Sequence, residues 1–352
     1  MTNISNNIIK DKLSNWPTAD LTLLPTPIHP LKNFGKLLDG QDLWIKRDDL
    51  TGLEGGGNKT RKLDFLVGDA LAKGADMLVT VGAIQSNHTR QTAAAAAKAN
   101  MKCALLHYGW TKDAGPNYRK VGNIFLSSMI GADLYLDETV RPIEDQGPLD
   151  EFVDYLRSQG HKPYLIQGGA SDHELGTLGY LQCAQEIAEQ TEQRGFQFDY
   201  IIHCTGSSST QAGLVAGMAA LGQKTRVIGI SDDDETSIKR ERVQKLANDT
   251  LCITGIEALV ISDDIEIIAA DKSHYGVSDE STLDAIKLFA KKEALIADPV
   301  YEGKAIRGLL ELSKQGRFEK GAKILLMHLG GSPAIHAYTN HFDPVDLMPL
   351  PI

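Results

Sequence analysis

The segment DMLVTVGAIQSNHTRQTAAAAAK, residues 76–98, changes its hydrophobic pattern at a turn that contains glycine. Before the turn the residues are mostly apolar, as in a buried strand, and after it they are rich in alanine, as in a helix. The turn itself carries Gly82, Ser86 and Asn87. A strand that leads through such a turn into a helix is the building unit of parallel sheets covered by helices, so the segment predicts an α/β fold.

The same alternation of strand and helix patterns continues in both directions along the chain. Short apolar runs predict strands at Asp42–Lys46, Asp76–Val81, Lys102–His107, Asp133–Leu136, Pro163–Ile166, Tyr200–Cys204, Arg226–Ile230, Ala258–Ile261 and Lys323–His328. Amphipathic stretches predict helices at Lys59–Lys73, Thr89–Asn100, Leu149–Gln159, Leu175–Arg194, Thr210–Leu221, Ser281–Glu293 and Lys304–Gln315. This order predicts open, mostly parallel sheets, which bind ligands where glycine-rich turns follow the carboxyl ends of strands.

The composition is that of an ordinary globular protein. The chain has 352 residues, which corresponds to about two domains at roughly 150 residues each. Its 42% hydrophobic and 23% charged residues exclude a disordered, collagen-like or coiled-coil chain. The formal charge is −10 and no basic run interrupts it, so we expect no nucleic-acid partner. No secretory signal and no run near ~18 apolar residues is present, so we expect a cytoplasmic enzyme without membrane contact.

The cysteines and histidines predict no metal site. The four cysteines stand far apart without a CxxC pair, and no HExxH motif is present, so neither a zinc site nor a disulfide framework is expected.

The first glycine-rich turn, residues 55–62, places a lysine at the start of a predicted helix. Asn58 stands where a P-loop needs glycine, and Thr60 stands where a dinucleotide fingerprint needs glycine, so neither nucleotide motif fits. What remains is Lys59 beside the positive end of a helix, which favours the neutral amine that forms a Schiff base with an aldehyde. The alternative is a solvated surface lysine.

Two further turns lead from strands into helices. In the turn of residues 82–90, Ser86 and its neighbours serve equally well as helix caps or as a carboxylate site at a helix N-terminus. In the turn of residues 205–213, small and hydroxyl residues can close around one phosphate dianion, with no basic residue in the loop. A plain serine-rich turn is the alternative for this second segment.

A carboxylate at the start of a later helix completes a possible cofactor site. Glu302 opens the helix that follows Asp298, where a carboxylate is stabilised by the helix dipole or lies against a ring nitrogen. A Schiff-base lysine, a site for a single phosphate and a carboxylate together indicate pyridoxal 5′-phosphate.

These segments resemble the tryptophan synthase β-like group of pyridoxal-phosphate enzymes, of fold type II. The similarity runs from Pro25–Ile28 to Gly330–Ala334, and it is most specific in Gly56–Leu63 and Gln85–Gln91. Within the group the chain is similar to the branch of 1-aminocyclopropane-1-carboxylate (ACC) deaminases and D-cysteine desulfhydrases.

The resemblance implies a role for each candidate residue. Lys59 would carry the cofactor and move protons, Ser86 would contact the substrate carboxylate or shuttle a proton, and Tyr301 would be the nucleophile or base for ring opening. Glu302 would tune the cofactor ring and Asn87 would lie at its phenolic oxygen. The remaining implied residues are Gly206, Ser207, Ser208, Ser209, Thr210 and Leu329 at the cofactor, and His88, Trp110 and Tyr275 at the substrate.

Differences between the two subgroups favour the deaminase. Deaminases resemble this chain at Val300–Lys304 and at Leu329, whereas desulfhydrases tend to have Thr or Ser at the position of Glu302 and Thr at that of Leu329. The segment Asp48–Leu53 and His88 are closer to the desulfhydrases. Because opening a cyclopropane without an α-hydrogen needs a strong electron sink, a carboxylate at Glu302 favours ACC deaminase chemistry over β-elimination of sulfide or sulfite.

The resemblance also implies the architecture. A larger cofactor domain would comprise residues 1–64 and 169–352, and a smaller α/β domain of residues 65–168 would be inserted after the lysine. The cofactor would lie between the two domains, the substrate would be a small amino acid, and the protein would be a homodimer. A binding protein that kept this fold without catalysis is a further alternative.

Overall fold

The computed structural model describes residues 7–111, 115–139, 147–171, 173–232, 236–269, 275–348 and 350. The strands in this part of the chain are β1 (Ile28–Pro30), β2 (Asp42–Arg47), β3 (Met77–Ala83), β4 (Lys102–Tyr108), β5 (Asp133–Asp137), β6 (Pro163–Leu165), β7 (Tyr200–Thr205), β8 (Arg226–Ser231), β9 (Glu266–Ala269) and β10 (Lys323–His328). The helices are α1 (Ile8–Leu13), α2 (Asn58–Ala72), α3 (Asn87–Lys98), α4 (Asn123–Ile130), α5 (Gly147–Ser158), α6 (Leu175–Glu192), α7 (Ser209–Ala220), α8 (Thr236–Thr254), α9 (Glu280–Glu293) and α10 (Glu302–Lys314).

The strands form two mostly parallel sheets, as predicted. The larger sheet has the order β1-β2-β10-β7-β8-β9, and only the β1–β2 pair is antiparallel. The smaller sheet has the order β5-β4-β3-β6 and is parallel throughout. All four of its strands lie within the predicted inserted segment, residues 65–168, although the domain boundaries themselves stay a prediction.

Alternate residues of the larger sheet enter different cores, which places helices on both faces. In β10, Leu325 and Met327 belong to the core shared with α2, α6, α7 and α8, whereas Ile324 and Leu326 belong to the core shared with α9 and α10. Apolar residues on both faces explain why the central strands are continuous hydrophobic runs in the sequence.

The sequence predicted most of these elements to within one or two residues of their ends. Three helices, α1, α4 and α8, and two strands, β1 and β9, were not predicted. Both missed strands are short edge strands. Pro27 precedes β1 and Pro30 is its last residue. Proline in a strand is tolerated mainly at an edge, which is why the sequence pattern did not predict this strand.

The predicted strand Ala258–Ile261 is wrong. Leu259 is 70% exposed, and the main chain of Val260 bonds to the side chain of Asn248 in α8 instead of to a neighbouring strand. The last strand of the sheet is β9, which pairs with β8. The four apolar residues Ala258–Ile261 therefore lie in a loop that is held against α8.

Helices α6 and α7 approach closely because α7 has glycine where they touch. A Cβ atom added at Gly213 would lie 2.5 Å from the Cβ of Tyr180, and one added at Gly217 would lie 2.2 Å from the Cβ of Ala184. Both distances are too short for real atoms, so part of the high glycine content serves this helix contact.

A fully buried group of charged side chains fixes the back of α2. Arg61 donates to Asp48 at 2.8 and 2.9 Å and to Glu186 at 3.0 Å, and Lys46 also binds Glu186. Tyr180 donates to Asp48 at 2.7 Å. We call these five residues the Arg61 network. Burial alone would raise the pKa of Asp48, but Arg61, Lys46 and Tyr180 together outweigh burial and lower that pKa. Helix α2 is thereby tied to β2 and α6.

Neither a membrane-spanning helix nor a metal-binding group is present among the described residues. No helix among them is long and apolar enough to cross a membrane. No group of three or more His, Cys, Asp or Glu side chains in the same residues is arranged to hold a metal ion.

Candidate active site

A cavity of about 1000 Å³ opens at the carboxyl ends of strands from both sheets. This is the edge at which parallel sheets bind ligands. Of the candidate residues, those that line it are Lys59, Ser86, Asn87, His88, Trp110, Gly206, Ser207, Ser208, Thr210, Tyr275, Tyr301, Glu302 and Leu329. The fold therefore brings together side chains that lie up to 270 residues apart in the sequence (329 − 59 = 270).

Lys59 is the second residue of α2, and its side chain faces the cavity. Its ammonium lies 5.5 Å from the centre of the Tyr301 ring. Burial lowers the pKa of Lys59, although Cys204 and nearby carboxyl groups oppose this shift. Removal from water thus favours the neutral amine, which was predicted from the helix dipole. The alternative of a solvated surface lysine is excluded by this position.

The loop of residues 206–210 forms a cup at the N-terminus of α7. Ser208 precedes the helix with a φ of 72°, which turns the loop tightly. The hydroxyl groups of Ser208 and Thr205 are buried and have no hydrogen-bond partner among the described residues. The first amide groups of a helix also lack partners within the helix. This cup therefore offers donors to a buried anion.

Ser209 differs from the other candidates because its side chain points away from the cavity. Its hydroxyl accepts hydrogen bonds from Lys62 at 2.8 Å and from Ser171 at 3.0 Å. It supports the cup from behind.

Lys62 is a functional candidate that the sequence analysis missed. It is buried, and among the described residues it lies at hydrogen-bond distance from Ser209 and the carbonyl oxygen of Gly169 only. Burial, and then the charge of Lys59, lower the pKa of Lys62 well below its usual value. The cup was expected to be neutral because its loop has no basic residue, but the fold brings this amine next to it. The signal was present, since Lys59 and Lys62 are three residues apart and share a helix face.

Ser86 caps helix α3 and still faces the cavity. Its hydroxyl oxygen accepts from the main-chain amides of His88 and Thr89, both at 3.2 Å. The two interpretations of this turn, as a helix cap and as a ligand site, are compatible. As a cap the Ser86 hydroxyl group only accepts hydrogen bonds, so its proton remains available to a ligand. Asn87 is fixed by the side chain of Asn123, whose amide donates to Asn87 Oδ1 at 2.7 Å.

The tautomer of His88 follows from its hydrogen bonds. Thr80 Oγ1 lies 2.7 Å from the carbonyl oxygen of Ile166 and 2.7 Å from His88 Nε2. Since a carbonyl oxygen only accepts, the hydroxyl proton goes to Ile166, and His88 Nε2 must carry a proton. Burial, with Lys59 and Lys62 nearby, lowers the pKa of His88 well below its usual value. His88 is therefore neutral, and Nδ1 is a buried acceptor without a partner among the described residues.

Three aromatic residues form one wall of the cavity. The hydroxyl groups of Tyr275 and Tyr301 lie 2.7 Å apart, and the Trp110 ring packs edge-on against Tyr275 at 5.9 Å between centres. Burial raises the pKa of both tyrosines, Tyr301 well above its usual value. Tyr301 is thus a neutral phenol, and it must lose its proton to a base before it can act as a nucleophile.

Glu302 begins α10 as a buried carboxyl group. Its Oε1 has no hydrogen-bond partner among the described residues, and Oε2 lies 3.9 Å from His328 Nδ1. Burial, and then the neighbouring Asp298, raise the pKa of Glu302 well above its usual value. Burial lowers the pKa of His328, so this contact is not an ion pair. This shift of the pKa favours the protonated form of Glu302, and Oε1 remains available to a partner in the cavity.

Asp298 is a second residue that the sequence analysis assigned no role. Its Oδ1 accepts from the amides of Val300 at 2.8 Å and Tyr301 at 2.9 Å, which shapes the turn that presents Tyr301 and Glu302. Burial raises its pKa to about 6 in spite of these hydrogen bonds. An aspartate before such a turn is a known signal for a side-chain to main-chain bond.

The side chains of the cavity fit pyridoxal 5′-phosphate. This cofactor presents an aldehyde, one phosphate and a ring nitrogen. The cavity offers an amine at Lys59, a cup with unpartnered hydroxyl groups at Ser208 and Thr205, and an unpartnered carboxyl oxygen at Glu302. Each group thus has a chemically suitable neighbour in the folded chain.

Comparisons with known proteins agree with this fit. A family model described as "Pyridoxal-phosphate dependent enzyme" matches residues 19–330. A 1-aminocyclopropane-1-carboxylate deaminase of Burkholderia cenocepacia (strain HI2424) is 44% identical over 333 residues, which cover 94% of this chain and 98% of that protein. One of Bradyrhizobium diazoefficiens is 42% identical over 93% of this chain and 97% of its own length.

Two solved structures show the same fold. The crystal structure of an ACC deaminase homologue superimposes with a TM-score of 0.86 at 34% identity, covering 97% of this chain and 98% of the other. A pyridoxal 5′-phosphate-dependent aspartate racemase superimposes with a TM-score of 0.63 at 15% identity, over 94% of this chain and 95% of the other. The second likeness bears on the fold alone.

Proposed function

The chain belongs to the pyridoxal-phosphate dependent enzyme family, and we propose that within this family it is an ACC deaminase. The reaction is the conversion of 1-aminocyclopropane-1-carboxylate and water to 2-oxobutanoate and ammonia. Relatives that are 42–44% identical over nearly the whole chain carry this name. The use of pyridoxal phosphate follows from the family, whereas ACC as the substrate is our proposal.

The observation that supports the substrate most is the buried carboxyl group of Glu302. It shares the cavity with Lys59 and has an oxygen without a partner among the described residues. When bound, pyridoxal phosphate supplies an electron sink for negative charge that develops on the substrate. A protonated Glu302 strengthens that sink because it can share its proton with a ring nitrogen. Opening a cyclopropane that has no α-hydrogen makes the largest demand on this property.

The residues at the N-terminus of α3 are suited to hold the substrate carboxylate. Ser86 offers its hydroxyl proton, and a helix N-terminus attracts negative charge. Lys59 would hold the cofactor and afterwards carry protons as a neutral amine. Its amine lies over the face of the Tyr301 ring, so both side chains reach the same part of the cavity.

Tyr301 would attack or deprotonate the ring with help from Tyr275. The 2.7 Å bond between the two hydroxyl groups lets Tyr275 stabilise negative charge on Tyr301 as its proton leaves. Trp110 packs against Tyr275 and shields this wall from water. Leu329 lines the same cavity as Glu302, and its main chain hydrogen-bonds the carboxyl group, which holds Glu302 in place.

The direct test is to incubate the purified holoenzyme with ACC and to measure 2-oxobutanoate and ammonia in equal amounts. Lys59→Ala is the control, and it should form neither product. Formation of sulfide from D-cysteine without 2-oxobutanoate from ACC would contradict the proposal. A cofactor absorbance that no amino acid changes would instead support a binding protein without catalysis.

The second candidate is a D-cysteine desulfhydrase or a related β-elimination lyase. The observation in its favour is the neutral His88 in the cavity, at a position where deaminases usually have Gln. The double substitution Glu302→Thr and Leu329→Thr should shift activity from ACC toward this lyase chemistry. If the double variant keeps its ACC activity and gains no sulfide release, the electron-sink argument is wrong.

A homodimer and a cytoplasmic location complete the proposal. Both rest on the resemblance to the family. Sedimentation of the purified protein tests the first, and fractionation of cells that express it tests the second.

A further inference from the structure

A carboxylate stands against the phosphate cup, where a bare negative charge would be unfavourable. Asp232 follows β8 and is only 4% exposed. A Cβ atom added at Gly206, the first residue of the cup, would lie 2.7 Å from Asp232 Oδ2. The carboxylate therefore packs directly on the main chain of the cup. An unbalanced carboxylate beside the cup would repel a phosphate bound there, and the repulsion would be strong because both charges are shielded from water.

A buried lysine neutralises this carboxylate. Lys239 Nζ lies 2.5 Å from Asp232 Oδ1, and the two side chains are 7% and 5% exposed. The ammonium of Lys304 donates to the main-chain oxygen of Asp232 at 2.7 Å, which fixes the backbone at this point. Asp232 and Lys239 both line the cavity, as does Arg242 one turn further along α8. The pair is thus part of the cavity wall as well as part of the core.

We propose that the Asp232–Lys239 pair sets the charge of the phosphate site, so that the affinity for a phosphorylated cofactor follows the net charge of this pair. Lys239 cancels the carboxylate next to Gly206 and so permits a phosphate dianion to enter the cup. The inference rests on the assignment of residues 206–210 as the phosphate site, and it is independent of which amino acid the enzyme converts.

The pair differs from Lys62 on the other side of the cup. Lys239 has a carboxylate partner in the folded chain, so its charge is present before the cofactor binds. Lys62 has no carboxylate within ion-pair distance among the described residues, and it donates to Ser209 at 2.8 Å. The two lysines beside the cup thus differ in whether a carboxylate balances their charge.

The test measures the dissociation constants of pyridoxal phosphate and of pyridoxal, which lacks the phosphate, for the apoenzyme. Asp232→Asn gives the pair a charge of +1, the parent and the double variant Asp232→Asn/Lys239→Met have 0, and Lys239→Met has −1. Pyridoxal phosphate should bind about tenfold more tightly to Asp232→Asn and about tenfold more weakly to Lys239→Met than to the parent. The double variant should stay within about threefold of the parent, and pyridoxal should bind all four proteins alike.

Lys245→Met is the matched control. Lys245 lies on the same helix and pairs with Asp249 at 2.6 Å, but its side chain is 77% exposed. This variant should bind both ligands like the parent. The proposal is overturned if the affinity for pyridoxal phosphate does not follow the charge of the pair, or if pyridoxal changes in parallel. Should Lys239→Met fail to fold, the Asp232→Asn and double variants still decide, since one must bind more tightly than the other.

Discussion

Helix α2 carries buried cations on two sides, and only one side provides them with carboxylates. Toward the back, Arg61 is surrounded by Asp48 and Glu186, and the pKa of Arg61 is raised well above its usual value by these carboxylates despite burial. On the other side, Lys59 at the cavity and Lys62 behind the cup have no ion-pair partner in the described part of the chain, and burial lowers the pKa of both.

The difference separates a structural site from a ligand site. A buried cation with carboxylate partners keeps its charge and holds neighbouring elements together. A buried amine without them has a lowered pKa, which favours the neutral form that can react with an electrophilic carbon. The same contrast applies to the acids, since the pKa of Asp48 is lowered in the Arg61 network whereas that of Glu302 is raised in the cavity.

The largest effect is expected for Lys59→Ala, which should lower kcat for 2-oxobutanoate formation by at least ~10³-fold, since the variant lacks both the covalent link and the proton carrier. Stability should hardly change, because Lys59 faces an open cavity. Lys73→Ala, at the exposed end of the same helix, is the control and should keep full activity. A Lys59→Ala variant with about a tenth of the parent activity would show that the cavity side of α2 is not the reaction centre.

The reverse result is expected on the other side of the helix. Arg61→Met leaves Asp48 and Glu186 with buried charge that Lys46 alone cannot balance, and it should lower the free energy of unfolding by about 3–5 kcal/mol. Urea denaturation of the apoenzyme measures this loss without the contribution of cofactor binding. A loss below about 1 kcal/mol would mean that the Arg61 network contributes little to the stability of the fold.

A pH dependence should distinguish Asp298 from the carboxylates of the Arg61 network. Because burial raises the pKa of Asp298 from 3.8 to about 6, its contribution to stability is present below about pH 4 and is lost as the pH rises through 6. The shift of about two pKa units corresponds to about 3 kcal/mol. Asp298→Asn keeps an oxygen for the amides of Val300 and Tyr301, so the variant should gain about this much relative to the parent between pH 4 and pH 7.

The measurement is the difference in unfolding free energy between parent and Asp298→Asn at several pH values in this window. A difference that does not depend on pH would show that Asp298 is ionised in the folded protein at all of them, like Asp48.

The smallest effect is expected for Tyr180→Phe. The variant loses the 2.7 Å hydrogen bond to Asp48 but keeps the ring, and Arg61 and Thr26 still bind the carboxylate. The free energy of unfolding should fall by about 1.5 kcal/mol, because one bond to a charged group is lost. Since Tyr180 does not line the cavity, kcat and KM for ACC should be unchanged. A change in kcat would show that the two sides of α2 are coupled.

The sequence was sufficient for those features that are local in the chain. The strand and helix alternation, the cap at Ser86, the loop after β7 and the position of Lys59 all follow from short-range patterns. The carboxylate at Glu302 was also found in this way. The resemblance added Tyr275 and Tyr301, which the structure places in the same cavity as Lys59.

Features that depend on contacts between distant segments were not predicted. Lys62 and the Asp232–Lys239 pair look like surface charges in the sequence, and only the packing of α2, α7 and α8 places them beside the cup. The pKa of Lys59 was expected to depend on the helix dipole, but the structure adds burial, which is a property of the whole fold and lowers this pKa. The failed strand at Ala258–Ile261 has the same origin, because α8 provides its hydrogen-bond partners.

The central claim, that this cavity is the active site of an ACC deaminase, is tested most directly by one substrate panel. The holoenzyme is given ACC, D-cysteine, L-cysteate or D-serine under the same conditions, and kcat/KM is measured for the keto acid formed from each. We expect the highest kcat/KM for ACC, with 2-oxobutanoate as the product and no activity in Lys59→Ala. A higher kcat/KM for D-cysteine, with pyruvate and sulfide as products, would contradict the account.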